Sequence, residues 1–561
     1  MNSVLKGKSN IRKDNTGDTA KRSWPGMDRL LTGLLSFVSV IYCAMMFLGL
    51  PLLYHNNYYD IGIFKYNYFY YTTLAYIAVC VVLILIIFLN RLIFHKYDPL
   101  GFIHVIKTIT LTDKFAAAYL FICLISFVLS RYNTWAFFGK NITNPPLKGY
   151  YGWNMGLLSQ AMFVLIYFLL SRTLKYNFRK KILFSLFLGS GAAFILAILH
   201  RFMIDPLGLY TGIEEPYRIY FLSTLGQATW FSSFLCTVMP VAMALFIYET
   251  RSLYRLVYAL YISITSMALV TQNSDSAFAA LFAVLTVLLL FSINANNHLL
   301  KYLQLVILIL LSFRIMGIFR MIFKDRAADL SELSVFFSQS GIMLIVTIFM
   351  ILFYFLMVWL INSYNLHISK YSFIIRYLII LLILIVILLY LIFAILTTGG
   401  YIEDTGNSML KEYLKFDDSW GNGRGFTWKI TIEMFRNFSF QEKLFGIGPD
   451  CYVEYAYEFN SAAMKEKWGM EVLANAHNEW LNSVFTTGIA GFITYIGTFL
   501  SAAYYFVKNR HLDILCIGAA ASIFSYITHN MFCYQQVLCT PVIFIIMAFV
   551  YADVSVSRGK D

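Results

Sequence analysis

The sequence predicts an all-α polytopic membrane protein of about 14 transmembrane helices, with one large, partly helical extracytoplasmic loop. Three observations carry that expectation. Of 561 residues, 59% are hydrophobic and only 13% charged, too little charge to cover a soluble protein of this size. The apolar residues fall in runs of about 20, the length of a bilayer-spanning helix. The polar residues outside the short loops collect in one long stretch, 398–482.

Taken in order, a polar tail over 1–29 precedes spans centred on 30–53, 70–93, 113–131, 153–171, 182–202, 227–248, 253–272, 276–293, 300–319, 340–362 and 373–397. These make a first bundle, 30–397. The stretch 398–482 is expected to form a cap. Spans 483–506, 513–530 and 537–553 make a second bundle, 483–553, before a tail at 554–561. The first apolar run is long enough to stay as an anchor, so no cleaved signal peptide is expected.

Basic residues set the topology, because cytoplasmic loops retain Lys and Arg. Lys6, Lys8, Arg12, Lys13, Lys21, Arg22 and Arg29 lie in the first tail, and "SRTLKYNFRKK" follows the fourth span. Arg251 and Arg255, Lys508 and Arg510, and Arg558 and Lys560 continue the series. With fourteen spans all fall on one side, so both termini are expected in the cytoplasm and the cap outside. The net charge of +13 then reads as topology and contact with anionic membrane lipids, not nucleic-acid binding. The eight cysteines show neither CxxC nor metal spacing; seven lie in or beside spans and only Cys451 lies in the polar stretch.

Within the cap, "FTWKITIEMF" repeats apolar residues at helical spacing, and "SAAMKEKWGMEVLANAHNEWL" does so more weakly. Between them Gly446, Gly448 and Pro449 in "FGIGPDCY" make a turn. Arg424 sits among glycines in "GNGRG". Its planar fork suits two phosphate oxygens at once, although the residues alone favour a surface arginine in a turn. His477, the cap's one histidine, titrates in the range of a general base, or is a satisfied interfacial histidine. Asn475 and Asn478 read as caps for the next span, with Asn478 alternatively orienting the imidazole or a substrate. Asp450 reads as a solvated turn acid.

The ordered set "GRGFTWKITIEMFRNF … LFGIGPDCY … AHNEWLNSVFTTGIAGFITYIG" resembles the signature of the O-antigen ligase and O-antigen polymerase superfamily, bacterial polytopic membrane glycan transferases. Arg424, Trp428, the Gly446–Gly448 turn, the His477–Asn478 pair, and Gly488 with Gly491 match in order. "STLGQATWFSSFLCTVMPVAM" is similar to an earlier family stretch, with Gln227 where Asn is usual. The motif-bearing part covers roughly 220–495. One position departs: where the family often has "SRG", this chain has "NSDSAF", with Asp275 in the Arg place. Arg218, Arg201, Arg320 and Arg326 are the outer arginines available to stand in, Arg218 first among them.

The resemblance implies transfer of a glycan from a polyprenyl-diphosphate carrier to an acceptor hydroxyl on the outer face of the bacterial cytoplasmic membrane. The partners are then the lipid-linked donor, a glycan or lipid acceptor and membrane lipids. Cations belong where diphosphate charge develops, and a base where the acceptor loses its proton. Arg424 would serve the first role with Arg218, and His477 the second. Trp428 and Asn478 would bind substrate. Neither a cofactor nor a metal is implied. A lipid-linked glycan flippase or other transporter is the alternative. Such proteins place charges within spans along a central path, and these spans read as nearly free of buried charge.

Overall fold

A computed structural model describes residues 24–94, 109–140, 152–402, 413–469 and 471–558. The basic residues expected to mark the first tail, apart from Arg29, lie outside these, as does Lys560.

The chain is a multi-pass membrane protein, almost wholly helical. Ten described helices are long and apolar enough to cross a bilayer. Four shorter apolar helices, Leu157–Thr173, Ser276–Ser292, Leu515–His529 and Thr540–Ser555, fall where the other expected spans lie. A two-residue hairpin, Phe221–Leu222 against Gly226–Gln227, is the strand structure named among the described residues.

Ala228–Tyr248 runs through the middle and buries 18 of its 21 residues. Leu515–His529 packs along it, and small residues such as Gly518, Ala519 and Ala520 let the two backbones approach. The peripheral hairpin Gly341–Tyr364 and Ser372–Thr398 sits at the other extreme. Its second helix buries no residue.

The spans do contain buried charge, contrary to the sequence expectation. Lys65 and Asp113 are buried within spans, and Asp513 and Asp553 lie buried in and just before the last two helices. Each has a local task. Lys65 Nζ donates to Leu50 O (2.6 Å) and to Leu53 O, closing the end of the first span. Asp113 completes a capping box with Thr110 and pairs with Arg172 at 2.8 Å. Arg179 meets Asp513 and Asp553. These charges tie helix ends together and trace no central path.

Residues 413–469 fold largely as short helices: Trp420–Arg436, Phe440–Phe445, Tyr452–Phe459 and Ser461–Trp468. They share a small core of Trp135, Met434, Phe438, Tyr452 and Phe485. The next helix, Glu479–Asn509, is broken at Gly488 (φ 75°, ψ −179°). That break fits against the turn at Gly446 (φ 75°). A Cβ on Gly446 would lie 2.2 Å from Thr486 O, and one on Gly488 2.3 Å from Leu444 O. Two glycines, both needed for positive φ and for close approach, thus lock the cap onto the re-entering helix.

Candidate functional site

Gly421, Asn422 and Gly423 take φ of 59°, 59° and 85°, so regular helix begins only at Arg424. The left-handed turn aims the arginine back toward the bundle. Its Nη1 donates to Gly421 O (2.7 Å) and its Nε to Phe532 O (3.1 Å), in the loop before the last helix. Burial pulls its pKa down, yet a guanidinium stays charged.

Arg424 lines a cavity of about 320 Å³ together with Asp275, Ser276, Tyr390, Tyr413 and Trp420. Tyr390 comes from the peripheral helix Ser372–Thr398, so one wall of the cavity belongs to a lipid-facing span. Tyr413 Oη donates to Asp275 Oδ2 (2.6 Å), while Asp275 Oδ1 is buried without a partner. The acid at the departed position therefore shares a cavity with the arginine and offers a free acceptor.

His477 lies between cap and re-entering helix with φ 47°, a strained conformation for a side chain of this size. Asn475 Oδ1 holds it there by accepting from His477 N at 2.9 Å. The ring stands edge-on against Tyr534, centroids 5.1 Å apart. Burial, and then the nearby Arg424, lower its pKa to about 3. The imidazole is therefore neutral at physiological pH, although a pKa this low makes it a weak base. A diphosphate neutralising Arg424 would raise its basicity.

Arg424 is near enough to His477 to lower its pKa, but His477 does not line the cavity that holds Arg424, and the other expected residues are engaged elsewhere. Asn478 Oδ1 accepts from Trp480 N and Leu481 N (3.0 and 3.1 Å), so its oxygen is taken up by the helix cap. Trp428 stacks behind Trp420 and Phe532 and does not line the cavity. Its contact with a substrate would run through those rings. Arg218 folds back, Nε on Ile213 O (3.0 Å) and guanidinium over Tyr210. The loop closes on itself, which keeps Arg218 off the cavity wall. Arg201 bonds Thr271 O and Ile219 O, and Arg320 sits by Asp329; neither they nor Arg326 line the cavity. Asp450, expected to be solvated, accepts from Met155 N (2.9 Å) inside a small polar cavity. Desolvation raises its pKa to about 8.

Sequence reasoning passed over the loop 530–539. Phe532 O takes Arg424, Asn530 O takes Glu479 N (2.8 Å), and Gln535 N donates to Glu479 Oε2 (2.9 Å). Trp153 Nε1 donates to Gln535 O, and Trp230 Nε1 to Tyr534 Oη, each at 3.1 Å. This seam ties Arg424, the start of the helix after His477 and the first bundle together. Beside it His529 is buried, Nε2 at 2.9 Å from Ser232 Oγ and 3.1 Å from Ser276 Oγ, with Nδ1 unpartnered. "THNMF" was the available signal, one of three His-Asn pairs in the chain, with His55–Asn56 and His477–Asn478.

Residues 327–496 match the family model described as O-antigen ligase. The match takes in Arg424, Trp428, the Gly446–Gly448 turn and His477–Asn478, and ends before His529 and the seam. The resemblance to the O-antigen ligase and polymerase superfamily read from the motifs is thereby supported. No curated protein gives a match to the chain.

Proposed function

We propose, from the O-antigen ligase sequence at 327–496, that this protein transfers a glycan from a polyprenyl-diphosphate carrier to an acceptor hydroxyl at the outer face of the bacterial cytoplasmic membrane. His477 takes the acceptor proton. The freed oxygen pair attacks the anomeric carbon, and the bond from that carbon to phosphate oxygen breaks. Its electron pair goes to the diphosphate, beside Arg424. On this reading both termini are cytoplasmic, Arg424 supplies the charge the leaving group needs, and no metal is called for.

One observation carries the reading: Arg424, near enough to His477 to lower its pKa, lines a cavity with one wall on a lipid-facing helix. A lipid carrier needs such sideways access, and a weak hydroxyl nucleophile needs such a base. The test is purified protein with a carrier-linked glycan extracted from the producing cell. Release of free polyprenyl diphosphate with a lengthened or newly attached glycan is expected. Movement of intact donor across a vesicle bilayer without its consumption would instead establish the transporter.

A further inference from the structure

Three cavities open along the seam. Phe532 lines the one that holds Arg424, Tyr534 and Gln535 the small polar one, and Gln536, Val537 and Leu538 a third of about 110 Å³. The reaction as described uses neither the small polar cavity nor the third, and the third is the larger of the two. Its other walls come from the first bundle: Lys65 and Tyr66, Trp153 and Asn154, and Trp230.

The chemistry of that third cavity is specific. Trp153 and Trp230 stand 5.4 Å apart, and both indole N–H groups are committed to the seam, which fixes the rings. Gln536 is 2% exposed; its Nε2 reaches Cys533 Sγ at 3.5 Å and its Oε1 is buried with no partner. A bare buried acceptor is unfavourable, so a donor from a ligand is favoured there. At about 110 Å³ the cavity is smaller than the ~150 Å³ that admits a benzene ring in an engineered protein, so it takes one face and edge of a sugar ring rather than the whole of it. Fixed aromatic faces with a bare amide oxygen suit a sugar ring, whose C–H face is apolar and whose edge carries O–H donors. An isoprenoid chain would gain nothing from Gln536 or Lys65.

Position supplies the function. Trp153 and Met155 are shared with the small polar cavity, and Tyr534, bonded to Trp230, touches the His477 ring. We propose that this third cavity is the acceptor subsite. One pyranose of the acceptor glycan lies against Trp153 and Trp230 and donates a hydroxyl to Gln536 Oε1, with the next residue reaching His477 past Tyr534. This rests on the transferase reading above.

The test uses the full-length protein in nanodiscs with carrier-linked glycan from the producing cell as donor. Two acceptors are varied separately: the same glycan freed from its carrier by mild acid, and carrier-free envelope glycan. For whichever acceptor is used, Gln536→Leu is expected to raise its KM about fivefold to tenfold, the loss of one hydrogen bond, with donor KM and kcat held. Trp153→Phe, which keeps a ring, is expected to raise acceptor KM less. Unchanged acceptor KM in folded Gln536→Leu protein would overturn the subsite while leaving the transferase intact. A raised donor KM with acceptor KM unchanged would give the cavity to the carrier lipid, which also overturns it. Absence of donor consumption by the wild-type protein would remove the transferase reading itself, and the acceptor subsite with it.

Discussion

Ser372–Thr398 is the most apolar span of the molecule and buries nothing, whereas Ala228–Tyr248 is less apolar and almost wholly buried. In a soluble protein the order would be reversed. Lipid is as apolar as leucine, so hydropathy measures exposure to lipid, and the interior is marked by small and weakly polar residues that let helices approach. Ser232, Ser233 and Thr237 lie in the buried helix, and its start, with Trp230, borders the seam where the polar chemistry collects. The peripheral helix contributes Tyr390 to the cavity wall and otherwise presents Ile, Leu and Val to the bilayer.

The comparison breaks most readily at the seam. Arg424→Lys keeps the charge but loses the fork that spans Gly421 O and Phe532 O; transfer is expected to fall about 10²–10³-fold with protein level held. Single-turnover assays on protein normalised for folded amount check this, and wild-type turnover would remove Arg424 from the site.

Packing separates the two helices next. Phe231→Ala, at a side chain with no exposed surface, is expected to destabilise by about 3–5 kcal/mol. Leu382→Ala, 61% exposed on the peripheral helix, is expected to stay within about 0.5 kcal/mol. Thermal unfolding in one detergent measures both, and equal losses would contradict the assignment of interior and lipid face.

A smaller, pH-dependent effect is expected at Asp450. Its folded pKa of about 8 lies above the ordinary carboxylate value of 3.8. Folding therefore retains a proton that the unfolded chain has released, and stability falls as pH rises between those values. Asp450→Asn keeps an oxygen for Met155 N and does not titrate. Its gain over the wild-type protein is expected to grow from pH 4 to pH 8, reaching roughly 1–3 kcal/mol. A gain independent of pH would show that Asp450 is wetter than its surroundings suggest.

Much of the helical plan was legible because about 20 apolar residues in a row can do little else in a bilayer. Arg424 and His477 drew notice in the sequence because glycines and polar residues stand out against such a background. Buried charges at helix ends escaped notice, since Lys65 and Asp113 are answered by backbone carbonyls and by partners on other helices, which no linear pattern records. Arg218 was misplaced for a related reason: a loop that folds on itself decides where its arginine points. The seam was invisible because its role rests on backbone atoms of Asn530, Phe532 and Gln535, and carbonyls carry no sequence signature.

The central claim is that His477 is the base and that the structure holds it neutral beside Arg424. His477→Gln keeps a hydrogen-bonding group but cannot accept a proton at neutral pH. Donor binding and single-turnover transfer, measured on folded protein from pH 5 to pH 8, test this most directly. The variant is expected to bind donor as the wild-type protein does and to transfer about 10²–10⁴-fold more slowly. Wild-type kcat/KM, which reports the free enzyme, is expected to show no histidine inflection in that range, because the pKa of about 3 lies below it. Near-normal transfer by His477→Gln protein, or a wild-type inflection near pH 6.5 that the variant lacks, would contradict the account.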